Sequence, residues 1–210
     1  MPDALSAVLD EARALGFLGP GEPAAHRTHS LGFAAAYDRV EPQPPARFCD
    51  LGAGGGVPGL VLAATWPTTR AVLLDASTRR CSFLEAAVAR LGLSGRVEVA
   101  CGRAEVLARD PSLEASFDLV CARSFAGPAA TAECATRLLA ADGLLLVSDP
   151  PASPEAARGP RWSEEGLARL SLRYLGTEPG PPAIASLRRA GPLDPAFPRR
   201  DGVPARRPLF

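Results

Sequence analysis

Residues 48–63 read FCDLGAGGGVPGLVLA, and the fold turns on that stretch. An apolar run carrying one acid, Asp50, leads into five glycines within eight residues and then into a helix-like segment. An apolar strand, a length of bare backbone and a helix in that order open a βαβ unit whose loop can hold a ligand against unhindered amides. Pro58 suits the first helical turn, because it has no N–H to leave unpaired.

Outward from this unit the same alternation repeats. Strand-like runs fall at 47–51, 71–75, 96–101, 117–122 and 143–148, with helix-like runs at 59–65, 78–91, 104–108 and 128–140. Five strands alternating with helices predict an α/β domain with a mostly parallel sheet and helices on both faces. Two weaker strands, 170–175 and 183–188, predict an antiparallel hairpin at the sheet edge. Residues 1–45 form an N-terminal helical segment, in which Leu5, Val8, Leu9, Ala12 and Leu15 share one face. Residues 46–190 are then the main domain and 150–160 a loop. Residues 191–210, with five prolines and four arginines, read as an extended basic tail.

Composition excludes several classes. The chain has 210 residues, 47% hydrophobic and 22% charged, which suits a globular domain with a real core. No apolar run approaches the roughly 20 residues that span a bilayer. The start carries acids instead of a basic, then apolar, secretory leader. Five cysteines (Cys49, Cys81, Cys101, Cys121 and Cys134) form no C-x-x-C pair, and the reading is a reducing cytoplasm. Net charge is zero, but residues 158–210 hold ten arginines against five acids, and the chain has no lysine. A basic C-terminal third is compatible with a neighbouring phosphate backbone.

The glycine loop admits two motifs. Gly54-x-Gly56-x-x-Gly59 fits a dinucleotide fingerprint, whereas Asp50-x-Gly52-x-Gly54 fits the first motif of S-adenosylmethionine-dependent methyltransferases. Charge separates them. A pyrophosphate would be repelled by Asp50, while a sulfonium and an ammonium would be attracted. Asp75, closing the second strand, suits the ribose of either ligand, and alone it would also serve as a helix cap.

Several stretches together resemble one family. CDLGAGGGVPGLVLA, LLDASTRRCSFLEAAVARLGL, GRAEVLA, FDLVCARSFA and PAFPRRDGVPARRPL are similar, in that order, to the glucose-inhibited division protein B family. Its members methylate N7 of a guanine in 16S ribosomal RNA. HRTHSL at 26–31 resembles the family's H-x-x-D-S-L, with His29 in the aspartate's place. The resemblance implies a Rossmann-like class I methyltransferase fold with S-adenosyl-L-methionine as cofactor. Its partner would be 16S ribosomal RNA or the small ribosomal subunit, with no membrane and no metal. Gly52, Ala53, Gly54, Gly56 and Val57 would wrap the methionine part behind Asp50. Asp75 and Ala76 would hold the ribose, and Ala104 and Glu105 would border the adenine. Arg123 would touch the donor and serve as the catalytic residue beside the incoming base. Two departures fall on the substrate side. The N-L-T stretch expected before the histidine is not found, and VSDPPAS stands where a Lys-Gly pair is expected.

Guanine N7 carries a lone pair and no proton, so the expected chemistry needs no general base. That agrees with the lack of an evident Asp–His or Cys–His pair in the sequence. A relative acting on a small molecule, and a donor-binding module without turnover, are the competing readings.

Overall fold

The computed structural model describes residues 3–150 and 161–210. Helix α1 (Ala4–Ala14) starts where the Asp3 carboxylate accepts the Ser6 amide at 2.7 Å. It buries Leu5, Val8, Leu9 and Ala12 as one stripe. Helix α2 (Pro23–Asp38) opens on a proline and carries both histidines. The helical segment is thus two helices, parted where Gly16, Gly19, Pro20 and Gly21 break the periodicity.

Strict alternation follows: β1 (Arg47–Leu51), α3 (Gly59–Thr65), β2 (Arg70–Asp75), α4 (Thr78–Arg90), β3 (Val97–Cys101), α5 (Ala104–Leu107), β4 (Phe117–Ala122), α6 (Pro128–Thr136) and β5 (Leu139–Asp149). Then come α7 (Glu164–Arg169), β6 (Leu172–Glu178), β7 (Ala183–Arg189) and the one-turn α8 (Val203–Arg206). The strands form one sheet in the order β3-β2-β1-β4-β5-β7-β6. β1 to β5 run parallel, and β7 is antiparallel to both β5 and β6. Strand order reverses between β1 and β4, so the loops leaving their C-terminal ends diverge and open a crevice.

Strand alternation distributes β1 between two cores. Phe48 joins Leu9, Phe33, Leu60 and Leu84 on the face covered by α1 to α4. Cys49 and Leu51 join Val72, Leu74, Val120 and Leu138 on the other. Each such side chain contributes about 1.5–3 kcal/mol by leaving water. Both faces are covered, as a parallel sheet requires. Of the five cysteines, all free, four are buried and Cys101 is exposed at the end of β3.

Boundaries depart furthest from the sequence reading at α6 and β5, and the first hairpin strand runs Leu172–Glu178 instead of 170–175. The helix expected over 128–140 stops at Thr136, and the last parallel strand begins at Leu139 instead of 143. Asp142, at φ +65°, and Gly143 look like a turn in sequence. A register shift between Phe117 and Leu119 takes residues 140–143 into the ladder as a bulge. The tail has little regular structure, yet it packs. Phe197 is buried, and Arg109 and Arg137 donate to the carbonyls of Pro198 (2.7 Å) and Phe197 (3.0 Å). Residues 151–160, including most of the expected loop and the last three residues of VSDPPAS, lie outside the described residues. Among those described, no helix is long and apolar enough to cross a membrane.

Candidate active site

The glycine loop is held from behind by one acid and from the side by another. Asp50 has no exposed surface, and its Oδ2 accepts the Gly59 amide at 2.7 Å. A Cβ on Gly59 would lie 2.6 Å from that oxygen, so the helix can approach the strand only through glycine. Asp50 Oδ1 is buried with no hydrogen-bond partner among the described residues. Burial pushes the Asp50 carboxyl up to about 7, against the Gly59 amide, which lowers it. Asp75 divides its carboxylate: Oδ2 accepts the Gly54 amide and Oδ1 the Ser77 amide, both at 2.9 Å. It therefore ties the loop to the start of α4. The positive φ of Gly52 (+82°) and Gly54 (+56°) gives the loop its path.

Two cavities lie along this loop. The first, about 250 Å³, is lined by Gly52, Asp75, Ala76, Ala104 and Glu105 from the expected set. Arg80, Gly102, Phe125, Pro204 and Ala205 are among its further walls. The second, about 190 Å³, is lined by Gly52, Ala53, Gly54, Val57 and Arg123, with Phe17, Leu18 and Gly19 as additional lining. The two share Gly52, Arg80 and Ser124. Asp50 and Gly56 line neither cavity and sit behind the wall.

Arg123, just past β4, reaches back to α2. Its Nη2 donates to His26 Nδ1 at 2.6 Å. This requires a neutral His26 whose proton is on Nε2, where it donates to the Gly19 carbonyl at 3.1 Å. Burial, and then the Arg123 charge, hold His26 below its ordinary pKa. Burial also lowers the Arg123 pKa, opposed by the Asp50 charge. Arg123 Nη1 is buried and unpartnered among the described residues, as is Asp50 Oδ1. His29 meets the Ser148 hydroxyl at 2.9 Å, and burial pushes its pKa down to about 4. Among the described residues, no three His, Cys, Asp or Glu gather as a metal set.

Among the contributors that sequence reasoning missed are the 17–19 segment, Arg80, and Pro204 with Ala205. Arg80 stands in STRRC, five positions after Asp75, and Pro204 in the tail motif, so both had signals to follow. Nothing in GFLG marks Phe17 to Gly19 as loop-covering. They become so because a Cβ on Gly55 would lie 2.7 Å from Leu18 Cδ2.

The fold and chain are similar to known proteins. An O-methyltransferase from Bacillus cereus, in complex with SAH, superposes with a TM-score of 0.62 at 18% identity, covering 90% of each chain. The O-methyltransferase TomG from Streptomyces achromogenes, in complex with SAM, gives 0.59 at 19% identity, covering 91% of each. The fold is therefore the Rossmann-like class I methyltransferase fold. Two proteins named ribosomal RNA small subunit methyltransferase G are nearer in sequence. The one from Prochlorococcus marinus (strain MIT 9313) is 37% identical over 80% of this chain and 69% of its own. That from Moorella thermoacetica is 32% identical over 87% of this chain and 78% of its own. The profile of the family described as GidB, rRNA small subunit methyltransferase G, matches residues 24–149. With the glycine loop, its two acids and Arg123 all inside that span, the chain belongs to the rRNA small subunit methyltransferase G family.

Proposed function

We propose that this chain is an S-adenosylmethionine-dependent methyltransferase that modifies N7 of a guanine in 16S ribosomal RNA, acting in the cytoplasm on the RNA or the small ribosomal subunit. The observation that carries this reading is the pair of neighbouring cavities along the glycine loop, with Asp75 beside the first and Arg123 in the second. The residues present fit the donor. Asp75 is an acceptor for ribose hydroxyls, and the apolar walls around Ala104 receive a purine. Among the described residues, Asp50 behind the glycine loop and Arg123 in the second cavity each keep an unpaired buried polar atom, a carboxyl oxygen and a guanidinium nitrogen.

The bound donor supplies a methyl group on a cationic sulfur; the chain's own residues supply position. Orientation alone is worth roughly 7–11 kcal/mol of barrier. Asp50 acts through the loop: by holding Gly59 it fixes where the Gly52–Val57 amides stand. His26 is committed on both ring nitrogens and serves as no base, which suits an acceptor nitrogen that has no proton to lose. Arg123 lines the second cavity, and its guanidinium fork is well shaped to pair with guanine O6 or a phosphate brought there.

The test is transfer of labelled methyl from S-adenosylmethionine to small subunits lacking the modification, followed by nucleoside mass mapping. Label in 7-methylguanosine of 16S RNA is the expected result. Donor binding with no label in RNA would turn the assignment toward a small-molecule acceptor.

A further inference from the structure

The segment after Phe197 is gripped by two buried acids. Glu133, on α6, has no exposed surface. Its Oε1 accepts the Arg199 amide at 2.7 Å, and its Oε2 accepts Arg199 Nη2 at 2.6 Å. Glu105, on the wall of the 250 Å³ cavity, accepts the Gly202 amide at 2.9 Å. Between them Asp201 pairs with Arg103 Nε at 2.8 Å, and Arg103 lines the same cavity. Gly202, at φ +71°, then turns the chain so that Pro204 and Ala205 complete the cavity wall. An ionised acid buried without a partner is strongly destabilising, so Glu133 commits Arg199 to this place.

We infer that residues 199–205 are a built part of the donor's nucleoside site, docked there by Glu133 and Glu105 acting as positioning residues. The ligand class is a purine nucleoside, its ribose toward Asp75 and its base against Ala104, Pro204 and Ala205. This rests on the reading of that cavity as the donor site. It adds a linkage: a ligand that touches the docked segment must favour docking, and docking must favour the ligand by the same factor.

Two measurements test it. Ala205 is exposed, and Ala205→Trp places an indole at the cavity without disturbing the core. Calorimetry with S-adenosylmethionine is expected to show at least a tenfold weaker Kd for Ala205→Trp, with the ligand-free Tm unchanged. In the unmodified protein, amide exchange at 199–206 is expected to slow when saturating donor is added, together with exchange at 52–57. Wild-type affinity in Ala205→Trp, or slowing confined to 52–57, overturns the inference while leaving the donor reading intact. No binding and no slowing anywhere overturns both.

Discussion

Arg123 and His26 are joined by a 2.6 Å hydrogen bond that links the end of β4 to the first turn of α2. The bond fixes one guanidinium nitrogen, and the other is unpaired among the described residues, so His26 sets the direction of the group proposed to meet the base. Arg123→Ala is expected to abolish methyl transfer with little change in donor Kd. His26→Ala is expected to lower kcat on RNA by about tenfold to a hundredfold, and His26→Gln, which can still accept from Arg123, to recover part of it. Equal loss of donor affinity in both alanine variants would move the pair into the cofactor site.

The same bond has a pH signature. The fold lowers the His26 pKa from its ordinary 6.5, so the imidazole is neutral and accepting through neutral pH. Protonation below that range removes the acceptor and sets two cations together, with Arg13 adding to the repulsion. Transfer at saturating donor should fall on the acid side only, and His26→Gln should lose that limb of the profile.

Asp50 trades stability for its place in the loop. Its folded pKa, raised from 3.8 to about 7, means the fold favours the protonated form. That contribution is fully present below the unfolded pKa and is lost as pH rises through about 7. Asp50→Asn keeps an acceptor for the Gly59 amide and removes the charge. Its Tm relative to the unmodified protein is expected to become more favourable between pH 5 and pH 8, while donor affinity falls. A difference in Tm that does not change with pH would contradict the raised pKa.

Gly59→Ala is expected to cost more than about 2 kcal/mol in denaturant unfolding, because its Cβ would meet both Asp50 and Leu73. Gly92→Ala, a site open to solvent but at φ +67°, controls for backbone strain and should cost less.

Salt separates the two ligands. Arg103 and Arg206 border the surface next to Ala205, and Arg80 lines both cavities. Phosphate contacts release counterions, so KM for RNA should rise steeply between 50 and 200 mM salt, as is general for nucleic-acid binding. Donor Kd should change much less.

Much of this was legible in the sequence because it is local. The strand at 47–51, the helix at 59–65 and the acids flanking the loop all follow from residues within a few positions of one another. The charge reading of Asp50 was only partly legible. Sequence placed a carboxylate behind the glycines, but its complete burial, which holds the pKa near 7, depends on helices packed over β1. The partners of Arg123 and Glu105 lie 97 positions away in each case, so no local pattern could pair them. Where β5 begins was hidden for another reason: Asp142 and Gly143 carry turn chemistry inside a bulged strand.

The central position of β1 has a consequence for how the molecule is made. Its partner β2 follows closely in the chain, whereas β4 arrives only at Phe117, so the β1–β4 ladder closes a much longer loop and should zip last. A chain in which that ladder had not yet closed would leave the Phe48–Leu51 flank bare, an adhesive edge of the kind that chaperones shield.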